Sequence, residues 1–199
     1  MPSDFFGDLI KAVITLLVVI DPIASIPVIM ALTGKMEKKQ RTSILNVTII
    51  TVAILLFVFA FVGSTIFSIF GISIFSFMIA GGVLLFLVAI ELLTHGEWKF
   101  GSQSIQDESG VVPIAFPLLA GPGALTLVIL SFQTYGILVT VLSIVIVLGI
   151  TYAILRLVEP IYRLLGKRGS LIVTRVFAII IAAFAVQFII DGIKQVFVH

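Results

Sequence analysis

Residues 42–90 read TSILNVTIITVAILLFVFAFVGSTIFSIFGISIFSFMIAGGVLLFLVAI, and no Asp, Glu, Lys or Arg interrupts them. The run lies between Arg41 and Glu91 and is about fifty residues long. One helical crossing of a membrane needs about 20 apolar residues. The run is therefore long enough for two crossings joined by a short turn.

A second charge-free run of similar length lies between Glu108 and Arg156. Over all 199 residues, 60% are hydrophobic and 11% are charged. Soluble domains carry about 25% charged residues because their surfaces must be hydrated. The composition therefore excludes a soluble globular protein. The basic residues lie in short loops rather than on one face, so they do not indicate a nucleic-acid partner.

The apolar segments predict an all-α membrane protein with six transmembrane helices. An open strand could not satisfy its backbone in lipid, and barrel strands would alternate apolar and polar residues. Residues 84–90 are instead apolar throughout. No basic residue precedes Lys11, so we expect a retained first helix rather than a cleaved signal peptide. The predicted spans are 6–32, 43–66, 73–93, 111–131, 137–157 and 171–193.

Basic residues predict the orientation, because short cytoplasmic loops are enriched in Lys and Arg. Only Lys11 and Lys194 fall on the side of the termini. We therefore expect both termini outside and the basic loops in the cytoplasm. The ten basic residues on the other side are Lys35, Lys38, Lys39, Arg41, Lys99, Arg156, Arg163, Lys167, Arg168 and Arg175.

Two proline pairs divide the chain into similar halves. Pro22 and Pro27 lie in the first predicted span, and Pro117 and Pro122 lie 95 residues later in the fourth. Three spans in each half turn the second half upside down, which is the inverted repeat of many transporters. We predict a 3+3 inverted repeat of residues 1–98 and 111–199, joined by a cytoplasmic linker at 99–110.

Each proline pair predicts a discontinuous helix, because proline removes a backbone donor and disturbs the preceding turn. Residues 6–20 form only about 22 Å of helix, which is shorter than a hydrocarbon core of about 30 Å. The first break therefore falls inside the membrane, in the first span, and the second falls in the fourth. The alternative is that both pairs are kinks that only shape helix packing.

A new half-helix should begin after each break, with unpaired amides and a partial positive charge. Ser25 is a candidate cap for one half-helix, and Gly121 and Gly123 leave the backbone bare at the other. Two such ends near the midplane would hold the carboxylate of a small solute. The candidate substrate-binding residues are Asp21, Ala24, Ser25, Ile26, Gly121, Gly123 and Ala124.

Asp21 is the carboxylate predicted deepest in a span, where an ionisable group costs about 2.5–3.5 kcal/mol on insertion scales. Three roles fit it: binding a substrate ammonium, holding a coupling ion such as sodium, or carrying a proton. A structural alternative is that Asp21 caps the half-helix that begins at Pro22.

Three segments resemble the MarC/SnatA family of bacterial and archaeal membrane proteins, and the resemblance covers essentially the whole chain. They are residues 21–27, 81–87 and 113–123, which read DPIASIP, GGVLLFL and PIAFPLLAGPG. The resemblance implies six spans, discontinuous first and fourth helices, and transport of small neutral amino acids such as glycine and alanine. It also implies a prokaryotic inner membrane. The family often has Gly where this chain has Ala24, which tightens the first break.

Four further residues are secondary candidates for the site: Thr48, Gly81, Gly82 and Gln187. Each also has a purely structural interpretation as a helix-packing or hydrogen-bonding residue. The sequence has no Cys, no metal-ligand spacing and no catalytic constellation. We therefore expect no enzymatic activity, no metal and no cofactor, apart from a proton or sodium ion for coupling.

The favoured function is a secondary carrier that moves small neutral amino acids by alternating access. The alternatives are a passive channel, a drug or metabolite exporter, and a membrane scaffold that transports nothing. A channel would need a continuous polar lining, and large drugs would need a roomy aromatic site. The direction of transport and the oligomeric state stay open.

Overall fold

The computed structural model describes residues 5–33, 36–95 and 114–198, and these residues are helical apart from short turns. Seven helical segments lie in the described ranges. They are α1 (Phe5–Ile20), α2 (Pro22–Thr33), α3 (Lys38–Phe70), α4 (Ile74–His95), the short π-helical α5 (Ile114–Leu119), α6 (Pro122–Leu155) and α7 (Val158–Val198).

Four helical stretches within the described ranges are long and apolar enough to cross a membrane. They are α3, α4, α6 and the Leu171–Phe197 part of α7. Large apolar side chains such as Val18, Leu138 and Ile179 are exposed on the outside of the bundle. Such surfaces are unfavourable in water and ordinary in lipid. The structure therefore confirms the prediction of an all-helical membrane protein in this coarse form.

The chain folds back on itself inside α6. Gly136 has φ 78° and ψ −176°, a conformation that is essentially restricted to glycine. The hydroxyls of Ser131 and Thr140 lie 3.0 Å apart across it. In a continuous helix, residues nine positions apart would be separated by about 13.5 Å. The two parts of α6 are therefore neighbours rather than one rod.

Helices from the two halves of the chain pack against each other. α1 and α3 pack on α6, and α2 and α4 pack on α7. One buried apolar cluster extends from Leu16 in α1 to Leu56 in α3 and Ala124 in α6. A second cluster joins Leu85 of α4 to Ala185 of α7. This arrangement places α2 and α5 inside the bundle, next to the long helices.

The helix α3 is longer than its predicted span, because it extends beyond the apolar core of the segment. α3 begins at Lys38 and ends at Phe70, whereas residues 43–66 were predicted. The predicted linker at 99–110 lies outside the described residues. The count of six spans, the 3+3 repeat and the sidedness of the loops stay predictions.

Candidate functional site

The first predicted break lies at Asp21, between α1 and α2. Asp21 has φ 40°, in the left-handed region, where Asp and Asn are enriched among residues with a side chain. Its backbone amide bonds the carbonyl of Leu17 at 3.0 Å, and its carbonyl accepts from the amide of Ser25 at 3.2 Å. The main chain of Asp21 therefore ends one helix and starts the next.

Pro27 does not interrupt its helix, which corrects the sequence prediction. α2 runs from Pro22 through Pro27 to Thr33. Pro22 is tolerated because the first helical residue needs no donor. The carbonyl of Pro27 also accepts a buried hydrogen bond of 3.1 Å from the hydroxyl of Thr174 in α7. This contact from a neighbouring helix secures α2 at its proline.

Ser25 is not a helix cap, contrary to the prediction. It lies in the first turn of α2, and its hydroxyl donates to the carbonyl of Asp21 at 3.1 Å. The prediction failed because a cap at Ser25 would start the half-helix at Ile26, between the two prolines. The structure starts α2 at Pro22, so Ser25 bonds back to the residue four positions earlier.

The second predicted break falls on α5 and the turn after it. Phe116 is non-helical, with φ −139° and ψ 133°, and the Phe116–Pro117 peptide is cis. The amide of Ala120 bonds the carbonyl of Ala115 at 2.8 Å, five residues back. Gly121 is then extended, at φ −67° and ψ 171°, and Pro122 begins α6. This segment departs from regular helix twice, once before each proline.

Both breaks present the N-terminus of a helix inside the bundle. The first helical hydrogen bond of α2 runs from the amide of Ser25 to the carbonyl of Asp21, and that of α6 runs from the amide of Leu125 to the carbonyl of Gly121. The amides before Ser25 and Leu125 therefore have no partner within their own helix. Each N-terminus also carries a partial positive charge from the aligned peptide dipoles. The two helix starts are therefore suited to an anionic group such as a carboxylate.

A cavity of about 240 Å³ adjoins the first break. Asp21, Ser25 and Gln187 supply its polar side chains. Gln187 and Phe184 are exposed, so the cavity opens at the surface of the bundle along α7. The remaining lining residues are apolar and come from α1, α4, α5 and α7: Val18, Val19, Ile20, Leu85, Leu118, Ile181, Phe184 and Phe188.

The cavity lies at mid-depth of two membrane-crossing helices. Leu85 is 11 residues after Ile74 and 10 before His95 in α4. Phe184 is 13 residues from either end of the apolar stretch Leu171–Phe197. Both residues line the same cavity as Asp21. The cavity beside Asp21 is therefore level with the middle of both helices.

Gly123 does not border this open space, although the sequence suggested room for a solute there. Gly123 is buried, and a β-carbon placed on it would lie 2.9 Å from the ring of Phe188 and 3.0 Å from Val19. Phe188 and Val19 also line the cavity beside Asp21. These two side chains therefore separate the cavity from the start of α6.

Gly81 and Gly82 allow α4 to approach its neighbours closely. A β-carbon on Gly81 would lie 2.4 Å from the ring of Pro122, at the second break. A β-carbon on Gly82 would lie 2.8 Å from the carbonyl oxygen of Ala185 in α7. Gly81 thus contacts the start of α6, and Gly82 contacts the helix that carries Phe184 and Phe188.

Of the other predicted site residues whose side chains the structure describes, Gln187 lines the cavity and the rest do not. Ile26 and Ala124 are buried in the main apolar cluster. Ala24 lies in α2, next to Ser25. Thr48 is buried in α3, and its hydroxyl has no hydrogen-bond partner among the described residues. Gln187 lines the cavity and donates to the carboxylate of Asp191 at 2.7 Å.

Sequence reasoning missed the apolar residues that enclose the cavity, above all Phe188 and Leu118. No pattern distinguishes these from the other apolar side chains of their helices, because each is identified only by its neighbours in space. The single available signal was the polar residue Gln187 within a predicted span, which Phe188 follows directly. Within the described residues, no group of three or more His, Asp or Glu side chains could hold a metal ion.

Comparison with known proteins places the chain among integral membrane proteins. The model of the MarC family of integral membrane proteins matches residues 6–197. A UPF0056 membrane protein of Archaeoglobus fulgidus is 36% identical over 191 residues, covering 91% of this chain and 90% of the relative. One from Pyrococcus horikoshii is 38% identical over 183 residues, covering 89% and 90%.

A bacterial relative shows the same full-length similarity. The UPF0056 membrane protein YhcE of Escherichia coli is 31% identical over 198 residues, covering 94% of this chain and 92% of the relative. Each of these relatives is named as a membrane protein and not as an enzyme. No solved structure matches the chain. The family match covers nearly the whole sequence and confirms the resemblance, so this chain is a multi-pass member of the MarC family of integral membrane proteins.

Proposed function

We propose that this protein is a secondary transporter for small neutral amino acids of the glycine and alanine class. The observation that carries the proposal is the mid-depth cavity beside the first helix break, with Asp21 in its wall. Its polar groups are few and its walls are apolar, as is usual for small-molecule sites. The substrate class itself comes from the family resemblance.

An amino acid is a zwitterion, and the site offers a partner for each of its charges. The carboxylate of Asp21 suits the ammonium group, and the amides at the start of α2 suit the carboxylate. The amides at the start of α6 would join once the ring of Phe188 moves away from Gly123. Apolar walls such as Leu85 and Leu118 suit a hydrogen or methyl side chain.

We further infer that the chain crosses the membrane six times as a 3+3 inverted repeat. α1 and α2 together would form the first crossing, and the fold at Gly136 would let α5 and α6 supply two. The spacing of 95 residues between Pro22 and Pro117 supports the repeat. The Lys and Arg distribution supports an orientation with both termini outside. The family resemblance supports a prokaryotic inner membrane.

Alternating access would then be a rocking of one half against the other around this cavity. The close contacts of Gly81 with Pro122 and of Gly82 with Ala185 lie between the two halves. Gly82 lies against the backbone of α7 and Gly81 lies against the ring of Pro122, so α4 presents no side chain that would obstruct sliding at these two positions. A proton or a sodium ion at Asp21 would couple the movement to an ion gradient.

Transport by purified protein in liposomes tests the proposal. We expect saturable uptake of labelled glycine or alanine, accelerated by unlabelled substrate on the opposite side. Imposing sodium and pH gradients separately identifies the coupling ion. Uptake that rises linearly with concentration would support a passive channel instead. Absence of uptake for every small amino acid, from a protein that stays folded, would reject the transporter.

A further inference from the structure

A second cavity lies where α3 begins and α6 ends. Its volume is about 470 Å³. Among the described residues that line it, three are cationic and none is acidic. The lining residues are Lys38, Arg41, Thr42, Leu45, Leu155, Arg156 and Pro160. The cavity therefore combines a basic rim with a short apolar wall.

The three basic residues come from two separate basic clusters of the sequence. Lys38 and Arg41 lie in the first turn of α3, before its long apolar part. Arg156 lies 115 positions later in the sequence than Arg41. A role in membrane orientation requires only that these charges lie on one side of the bilayer. It does not require that they meet in one cavity, where like charges repel. A single anion in this cavity could contact basic side chains of both clusters at once.

Two of the basic side chains are held in fixed positions. Arg41 is 8% exposed, and it donates to the carbonyls of Thr33 at 3.1 Å and Met36 at 3.5 Å. The guanidinium of Arg156 lies 4.8 Å from the centre of the Tyr152 ring and donates to the hydroxyl of that residue. That hydroxyl in turn donates to Asn46 at 2.9 Å. Positions fixed in this way lower the entropy cost of binding.

The cavity lies at the depth of lipid headgroups. α3 has 33 residues and is about 50 Å long, whereas the hydrocarbon core measures about 30 Å. The charge-free run of α3 begins only after Arg41, so we place its first turn, which carries Lys38 and Arg41, in the headgroup layer. Leu45 and Leu155 lie deeper along their helices and form the apolar wall of the same cavity.

We propose that this cavity binds a phosphate group, with Lys38, Arg41 and Arg156 as its cationic partners. An anionic phospholipid fits both parts, because its phosphate meets the basic rim and its glycerol and upper acyl carbons meet Leu45 and Leu155. A soluble phosphate ester carries the same phosphate group, but it has no acyl carbons to contact Leu45 and Leu155. The proposal is independent of transport, because the cavity shares no lining residue with that of Asp21.

Lipid titrations of the purified protein test this site. Thermal unfolding and native mass spectrometry are recorded with phosphatidylglycerol, with phosphatidylcholine, and with glycerol 3-phosphate as the soluble ester. We expect phosphatidylglycerol to bind and to raise the unfolding temperature. Lys38→Gln and Arg156→Gln should each weaken that binding about fivefold, from the contribution of one basic residue near a charged membrane surface.

Lys39→Gln is the matched control, because it removes the same charge from the next residue of α3. Lys39 is exposed and does not line the cavity. Equal weakening by Lys38→Gln and Lys39→Gln would overturn the proposal. Equal binding of the two phospholipids, with no loss in Lys38→Gln or Arg156→Gln, would also overturn it, because the basic rim would then not contribute to binding. Binding of glycerol 3-phosphate with the same dependence on Lys38, and no preference for the lipid, would keep the phosphate site and assign it a soluble ligand.

Discussion

The ring of Phe188 lies directly over the backbone of Gly123, where a β-carbon would be 2.9 Å from two ring atoms. The same ring lines the cavity that holds Asp21. Phe188 therefore touches the start of α6 on one side and the open space on the other. Together with Val19, this ring lies between the cavity and the start of α6.

We predict that Gly123→Val abolishes substrate binding and leaves a folded protein. The added side chain would push Phe188 into the cavity, at an overpacking cost of about 1–3 kcal/mol. Gly149→Val is the control, because a β-carbon at Gly149 would have open space. Binding is measured with labelled glycine and alanine well below the unfolding temperature of each variant.

Phe188→Ala provides the complementary test of the same contact. Combined with Gly123→Val, it should restore part of the lost binding, because the valine side chain could occupy the space of the ring. Normal uptake by Gly123→Val alone would contradict the placement of the site at this helix start.

A second prediction concerns the bond between Thr174 and Pro27. Thr174→Val removes the buried hydroxyl that donates to the carbonyl of Pro27. We expect a loss of about 1 kcal/mol of unfolding free energy, or about 2–4 °C in unfolding temperature for a chain of this size.

Thr151→Val is the matched control for Thr174→Val. The hydroxyl of Thr151 is buried and has no partner among the described residues, so its removal should be neutral or stabilising. Equal effects of the two substitutions, measured by thermal unfolding in one detergent, would show that the bond to Pro27 contributes nothing.

The sequence identified the places where the helices break, but not how each break is built. Missing charges and paired prolines were sufficient to locate Asp21 and residues 116–122. The difference between Pro27, which stays inside a helix, and Pro122, which begins one, depends on context. Gly121 precedes Pro122 and adopts an extended conformation, whereas Pro27 receives a hydrogen bond from Thr174, a residue 147 positions away. Such a distant partner leaves no local pattern.

The candidate site was predictable in its polar residues and not in its apolar ones. Asp21 stood out because a carboxylate within a span is costly. Phe188 and Leu118 look like any other apolar residue of their segments, and only the packing of α5 and α7 places them around the cavity. The occupied space beside Gly123 could not be foreseen for the same reason.

A third prediction tests the fold at Gly136. Ser131→Cys combined with Thr140→Cys should form a disulfide on mild oxidation, because the two hydroxyls lie 3.0 Å apart. The chain has no native cysteine, so the pair is unambiguous. Ser131→Cys with Gly149→Cys is the control pair. After proteolysis between the two cysteines, a disulfide keeps the two fragments together, and this is seen as a change in gel mobility. Separate fragments from the Ser131→Cys and Thr140→Cys pair would indicate a straight α6.

The last prediction separates the carboxylate of Asp21 from its backbone. Asp21 has φ 40°, which Asn and Gly tolerate, so Asp21→Asn and Asp21→Gly should keep the junction of α1 and α2. Both variants remove the charge. If the carboxylate binds the substrate ammonium or the coupling ion, we expect uptake to fall about 10- to 100-fold in both, as for the loss of a hydrogen bond to a charged group.

Asp8→Asn is the control for loss of a carboxylate, because Asp8 lies in the first turn of the same helix, α1, away from the cavity. Asp21→Ala also removes the charge, but in addition it strains the left-handed backbone at this position, so comparing it with Asp21→Gly isolates the effect of the backbone. It should therefore lower the unfolding temperature below that of Asp21→Gly. Full uptake in Asp21→Asn and Asp21→Gly, with a change in unfolding temperature alone, would mean that Asp21 serves only to join two helices.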